Sequence, residues 1–164
     1  SEEHTSELQS PEAISYAVFC MRRASQRVID VVRADLSEDL TQYKIVVLGA
    51  AFKPDSDDVR DSPALDIAAQ LHAAGAKVVV HDPKAIENAR KRFPNLGFAE
   101  SIEECVTGAD LILHLTEWKQ YRELDPVAIK ALTNGAMIID GRNALDRELW
   151  RAAGWKFHAL GRTD

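Results

Sequence analysis

The chain reads as an α/β protein with an open, doubly wound, mostly parallel sheet of about six strands, preceded by one long helix. Three observations predict this. Short apolar runs rich in β-branched residues alternate with stretches of helical periodicity along most of the 164 residues. The first strand, helix and strand fit into about 38 residues, Lys44 to His81, the length of a parallel crossover unit. Charged residues gather in loops that follow strands, where open α/β sheets bind ligands.

Residues 1 to 10 are polar and read as a lead-in. Pro11 and Glu12 open a long helix over residues 11–36, in which Ile14, Val18, Met21, Val28, Val31 and Val32 recur close to every third or fourth residue. Extended to Asp35 it is about 37 Å long, at ~1.5 Å per residue, more than the domain after it requires. Such a helix connects two bodies. Its near-heptad stripe of Ile14, Met21 and Val28 suits packing on its own domain, or on another subunit or domain. Ser37 to Tyr43 forms a polar turn, and residues 37–164 form the body.

Lys44 to Leu48 is a strand buried on both faces, ended by Gly49. The next loop carries Lys53, Asp55, Asp57, Asp58, Arg60 and Asp61, and Ser62-Pro63 supplies the N-cap and first turn of a helix. Ala64, Ile67, Ala68, Leu71 and Ala74 mark that helix's apolar face, and Gly75 stops it. Lys77 to His81 is a strand, Ala85 to Arg92 a helix, and Gly97 to Ala99 a short edge strand. Ser101 caps a helix to Thr107, with Glu104 at the capping-box position. Leu111 to Leu115, Ala136 to Ile139 and Lys156 to Leu160 are strands, with helices at Pro126 to Leu132 and Asp146 to Ala153 between them. In the Rossmann-like order 3-2-1-4-5-6, the switch point falls between the strands ending at Gly49 and Leu115. Phe52 to Arg60, Thr116 to Trp118 and Gly141 to Asn143 then converge on one rim.

With 46% hydrophobic residues the chain can bury a substantial core. Its net charge of −6 argues against a nucleic-acid surface, and the Arg22, Arg23, Arg27 and Arg33 cluster reads as a solvated helix face. No apolar run approaches the ~20 residues that span a bilayer, and no secretory signal opens the sequence. Cys20 and Cys105 stand far apart without metal or redox spacing, which suits a reducing compartment. The expectation is a soluble, cytoplasmic protein without a metal site.

Phe52-Lys53-Pro54, Asp57-Asp58-x-Arg60 and Ser62-Pro63 resemble the opening of the C-terminal domain of UDP-glucose dehydrogenases and their relatives acting on UDP- and GDP-sugars. The resemblance continues through His81-Asp82-Pro83, Gly108-Ala109-Asp110, Thr116-Glu117-Trp118 and Asp140-Gly141-Arg142-Asn143 to Gly161-Arg162. It implies a UDP-binding domain of an NAD-dependent enzyme that oxidises a sugar's primary alcohol to the acid in two steps, through a covalent cysteine adduct. It also implies an oligomer built partly on the long helix. By the same resemblance Phe52 contacts the sugar through its backbone, Lys53 reaches the sugar end of the substrate, Arg60 contacts the NAD phosphates, and Arg142 contacts the uridine portion. The nucleophilic cysteine with its Gly-rich surroundings is absent, as is the N-terminal NAD-binding domain, so no catalytic residue is assigned in this chain.

Read as residues alone, the same positions admit plainer roles. Lys53 and Arg60 can pair with Asp57 and Asp58, and Arg142 can cap carbonyls at the end of its strand. Trp118 reads as a packing residue, Asp82 as a turn residue before Pro83, and His114 as a satisfied core histidine. The turn after the first strand lacks G-x-G-x-x-G, since Ala50, Ala51 and Phe52 follow Gly49, which disfavours free-standing NAD binding. A non-enzymatic dimerisation or scaffold module is the rival reading. Within the family, UDP-N-acetylmannosamine and GDP-mannose are the rival substrates.

Overall fold

The structure, a computed structural model, describes residues 11–160, with side chains from residue 22 onward. Helix α1 (Pro11–Asp35) is the expected long helix. The polar lead-in, and the side chains of Ile14, Cys20 and Met21, lie outside the described residues. Further along, Val28, Ile29 and Val32 are buried and seat α1 against α2 (Pro63–Ala73). Asp35 fastens the end of α1 by pairing with Lys156 Nζ at 3.2 Å and His158 Nε2 at 2.6 Å.

Strands β1 (Lys44–Leu48), β2 (Lys77–His81), β3 (Gly97–Phe98), β4 (Leu111–His114), β5 (Met137–Asp140) and β6 (Lys156–Ala159) form one sheet in the order β3-β2-β1-β4-β5-β6. Every neighbouring pair is parallel, so the sheet expected to be mostly parallel is wholly so. The cause is regular connectivity: each of the first five strands is followed by a helical segment that returns the chain to the end of the sheet where the next strand starts. β1 and β4 are buried along almost their whole length, as strands covered on both faces must be.

Besides α2, the layers contain α3 (Ile86–Arg92), α4 (Ile102–Val106), α5 (Lys119–Arg122), α6 (Pro126–Leu132) and α7 (Arg147–Ala152). Their starts follow the capping signals. Ser62, Ser101, Asp125 and Asp146 each accept a backbone N–H from the first turn of their helix, with Ser101 Oγ taking that of Glu104. α5 escapes sequence reading because four residues are barely one turn and show no period. Tyr121, fully buried, pins that turn onto the sheet. No helix among the described residues is long and apolar enough to cross a membrane.

β1 ends where Gly49 turns with φ at +108°, beside the start of the loop after β4. A Cβ at this position would overlap the Thr116 side chain and backbone, so both the dihedral and the space require glycine. Gly49→Ala should therefore lower the unfolding free energy by about 2–4 kcal/mol, from backbone strain and overpacking together. Urea denaturation followed by circular dichroism measures this, and an unchanged midpoint would contradict the packing described.

Candidate functional site

The carboxyl ends of β1, β2, β4 and β5 open onto one rim, and the segment joining them is the backbone of residues 50–52. Ala50 N and Ala51 N donate to Asp82 Oδ2 at 2.8 and 3.0 Å. Ala50 O accepts from Ser62 Oγ at 2.7 Å, and Ala51 O from Thr116 Oγ1 at 2.8 Å. Phe52 N donates to Asp58 O at 2.8 Å, and Phe52 O accepts from Arg142 Nη2 at 3.0 Å. Every backbone polar group of the three residues is thus engaged, which buried peptide groups require.

Asp82 is more than the turn residue expected before Pro83. It is 2% exposed, and its Oδ1 accepts Lys84 N and Ala85 N while its Oδ2 accepts Trp118 Nε1 at 3.1 Å besides the two alanine amides. Five donors from three segments neutralise one buried carboxylate, which in isolation would be costly to desolvate. Trp118 packs in the core as expected and adds this polar contact. Sequence reading placed Asp82 at the correct turn but missed the long-range donors, which only tertiary structure brings in.

Asp140 organises the second half of the rim. Its Oδ1 accepts from His114 Nδ1 at 2.8 Å and Arg142 N at 3.0 Å, and its Oδ2 accepts Ala144 N and Leu145 N. The loop closes through Asn143, at a φ of +57°. Burial raises the Asp140 carboxyl, but the His114 hydrogen bond and the loop amides together outweigh it and hold the group below its ordinary 3.8. Arg142 emerges from this loop. Its guanidinium pairs with Glu117 through Nε at 3.2 Å and Nη2 at 3.3 Å while it holds the Phe52 carbonyl. Sequence reading put Arg142 on carbonyls at the end of its own strand; the carbonyl it binds is instead that of Phe52, on the loop after β1.

Arg60, at the far end of the loop after β1, makes a two-pronged contact with Asp58. Nε reaches Oδ1 and Nη2 reaches Oδ2, each at 3.0 Å. That hydrogen bonding, side chain first and the Arg60 backbone N–H second, brings the Asp58 carboxyl down to about 2. Lys53 is exposed beside the same carboxylate. Lys53, Arg60 and Arg142 therefore share one rim, but a single cleft holding all three is not what forms. Arg142 borders an apolar hollow of about 240 Å³ among Val28, Ile67, Leu115, Gly141 and Leu160. Arg60 borders a separate groove against α3. Phe52, 42% exposed, has both its backbone groups engaged, the N–H by the Asp58 carbonyl and the C=O by Arg142. A ligand using the Phe52 backbone must share or replace Arg142.

The remaining candidates sort by burial. His114 is fully buried and bound on one nitrogen only; its Nε2 has no partner among the described residues, so the satisfied core histidine is half satisfied. His81 Nδ1 lies 2.7 Å from Tyr121 Oη, which also donates to His81 O. Burial lowers the His81 pKa and pushes the Cys105 thiol up to about 12, so Cys105 is no thiolate near neutrality. No group of three or more His, Cys, Asp or Glu among the described residues could hold a metal ion.

Residues 46–147 match the model of the UDP-glucose/GDP-mannose dehydrogenase family, UDP binding domain. The chain belongs to this family. It is 37% identical over 126 residues to the UDP-glucose 6-dehydrogenase of Rhizobium meliloti, a match covering 77% of the chain and 29% of that protein. To UDP-glucose 6-dehydrogenase AglM of Haloferax volcanii it is 35% identical over 142 residues, covering 84% and 33%. Among solved structures, a UDP-glucose dehydrogenase from Pyrobaculum islandicum aligns over 90% of the chain and 31% of its own, with a TM-score of 0.70 and 29% identity. An NDP-N-acetyl-D-galactosaminuronic acid dehydrogenase from Methanosarcina mazei aligns over 92% and 31%, with a TM-score of 0.74 and 28% identity. The chain spans about a third of the length of these relatives. The match to the family's UDP binding domain begins in β1, includes the loop of residues 50–60, and ends just past the Arg142 turn.

Two outcomes follow from the carboxylates. Asp82→Asn keeps shape but turns an amide N–H₂ or a neutral oxygen toward donors, and should cost about 3 kcal/mol or more of unfolding free energy. Chemical denaturation measures it, and a variant as stable as the parent would remove Asp82 from its central place. For Asp140 the folded pKa lies below the unfolded one, so its contribution is fully present above 3.8 and is lost as pH falls through the lower folded value. Urea midpoints compared at about pH 6 and about pH 3 should fall less in Asp140→Asn than in the parent; equal falls would contradict the assignment.

Proposed function

We propose that this chain is the nucleotide-sugar-binding C-terminal part of a UDP-glucose 6-dehydrogenase-like enzyme. The reading rests chiefly on one observation: the Arg142 guanidinium is held at the rim by Glu117 and the Phe52 carbonyl, bridging three loops that meet at the switch point. A fork so placed can exchange these partners for the uridine portion of a ligand, while Lys53, exposed on the adjoining loop, reaches the sugar end. Two more features support the division of labour. The Ala50 and Ala51 amides, which in a dinucleotide-binding turn would face a pyrophosphate, are taken by Asp82, so this turn does not fit the cofactor. Arg60 does fit, as an exposed guanidinium that would meet the phosphates of NAD held mainly by another part of the enzyme.

The chemistry comes from outside this chain. NAD, when bound, would supply the hydride acceptor for the sugar carbon, and the chain's own residues bind and orient the substrate. Cys105 is buried with a raised pKa and does not serve as the nucleophile. α1 joins this domain to the NAD-binding part and contributes to a homo-oligomer. UDP-glucose is favoured over UDP-N-acetylmannosamine and GDP-mannose because relatives at 33–40% identity bear the name UDP-glucose 6-dehydrogenase.

Titrating the purified chain with UDP-glucose by NMR or calorimetry should give weak saturable binding. Arg142→Ala should weaken it about tenfold or more, the value of a lost two-pronged charged contact. Affinity unchanged by the substitution sinks the reading. With UDP-glucose and NAD together, the chain alone should release no NADH.

A further inference from the structure

The Arg60 groove holds more cationic groups than the proposed role uses. Asp57, Asp58 and Arg60 form one wall, and Asn88, Lys91 and Arg92 of α3 form the other, around an open hollow of about 570 Å³. The two walls are fixed to each other: Asn88 Nδ2 donates to Asp57 O at 2.9 Å, and Val59 is buried beneath the loop. Arg90, in the same basic run, is occupied elsewhere. It pairs with Glu87 at 2.6 Å, and its guanidinium carbon lies 5.5 Å from the centre of the Phe98 ring. Lys91 and Arg92 are exposed, and neither forms an ion pair with any described residue.

We infer that Lys91 and Arg92 complete, with Arg60, a three-cation site for a pyrophosphate group, and that Asp58 occupies the Arg60 fork until that group arrives. The inference rests on the reading of Arg60 as a cofactor-phosphate contact, and it names the dinucleotide's pyrophosphate as the occupant. The chemistry is that of exchange. A carboxylate lying against Nε and Nη2 presents two oxygens to the guanidinium edge, the same pattern two phosphate oxygens present. Asp58 stays ionised near neutrality, so it competes for Arg60 throughout the physiological range. A singly charged anion gains little by displacing it. A pyrophosphate bridges to Lys91 and Arg92 across the groove and offsets the loss. The acidic wall thus selects for multiply charged ligands, and the Asn88 bond holds α3 against the loop that carries Arg60.

The probe is inorganic pyrophosphate, added to the purified chain at constant ionic strength while backbone amides and arginine side chains are followed by NMR. Shifts should localise to residues 57–60 and 88–92. Lys91→Ala and Arg92→Ala should each raise Kd about two- to fivefold, the range for one exposed charge contact. Asp58→Asn, which keeps an oxygen for the Arg60 amide, should lower Kd; Arg90→Ala should leave it unchanged. NAD should shift the same residues, whereas UDP-glucose should shift residues 141–145. If UDP-glucose fails to bind while pyrophosphate behaves as described, the nucleotide-sugar reading falls and the groove stands. The inference is overturned if pyrophosphate shifts these residues no more than chloride does, if Lys91→Ala and Arg92→Ala bind like the parent, if Arg90→Ala weakens binding equally, or if UDP-glucose rather than NAD shifts the groove.

Discussion

The complete hydrogen bonding of the backbone of three residues, 50–52, is the constraint on which the rest of the rim depends. A loop at the buried end of a central strand cannot leave N–H and C=O groups unpaired without losing about 1–3 kcal/mol for each. Six groups are involved, and their partners come from Asp82, Ser62, Thr116, Asp58 and Arg142. Those five residues lie on four stretches of chain, with Asp58 and Ser62 on the same loop. Satisfying one short loop therefore fixes where β2 ends, where α2 starts, how the loop after β4 turns, and where Arg142 stands.

This solution departs from the dinucleotide-binding turn in an instructive way. There, glycines let a pyrophosphate approach the backbone, and the ligand supplies the negative charge at the amides. Here, Asp82 supplies a carboxylate from the end of β2, permanently and within the fold. Once the anion is internal, nothing needs to approach, and alanines can fill the space glycines would leave. Ala50 and Ala51 are buried at 0% and 2% exposure, packing where a ligand would otherwise lie. The same topology thus closes the first βα turn to a ligand and leaves the outer parts of the loops exposed.

The sheet was legible in the sequence because the physics is local there. Runs such as Lys44-Ile-Val-Val-Leu48 have a period and composition that suit only a buried strand, and Ser62-Pro63 and Ser101 announce helices by chemistry that acts within three residues. The Arg60–Asp58 pair was legible for the same reason, being two residues apart. α5 was not, since one turn leaves no period to detect. Asp82 and Asp140 were legible only as strand-end acids, because their donors lie up to 36 residues away. The separation of Arg60 from Arg142 also needed three dimensions. Motif order says that the loops meet; it does not say which hollow each cation borders.

That separation has a mechanical consequence. Phe52 is tied on its N–H side to the Asp58 carbonyl and on its C=O side to Arg142, and Asp58 in turn grips Arg60. A ligand that draws Arg142 from the Phe52 carbonyl frees the peptide after Phe52. A ligand that displaces the Asp58 carboxylate from Arg60 leaves the Asp58 carbonyl on the Phe52 N–H, because the two bonds use different groups of Asp58. The loop after β1 thus holds its two arginines by separate bonds, and each can exchange partners without unfastening the other.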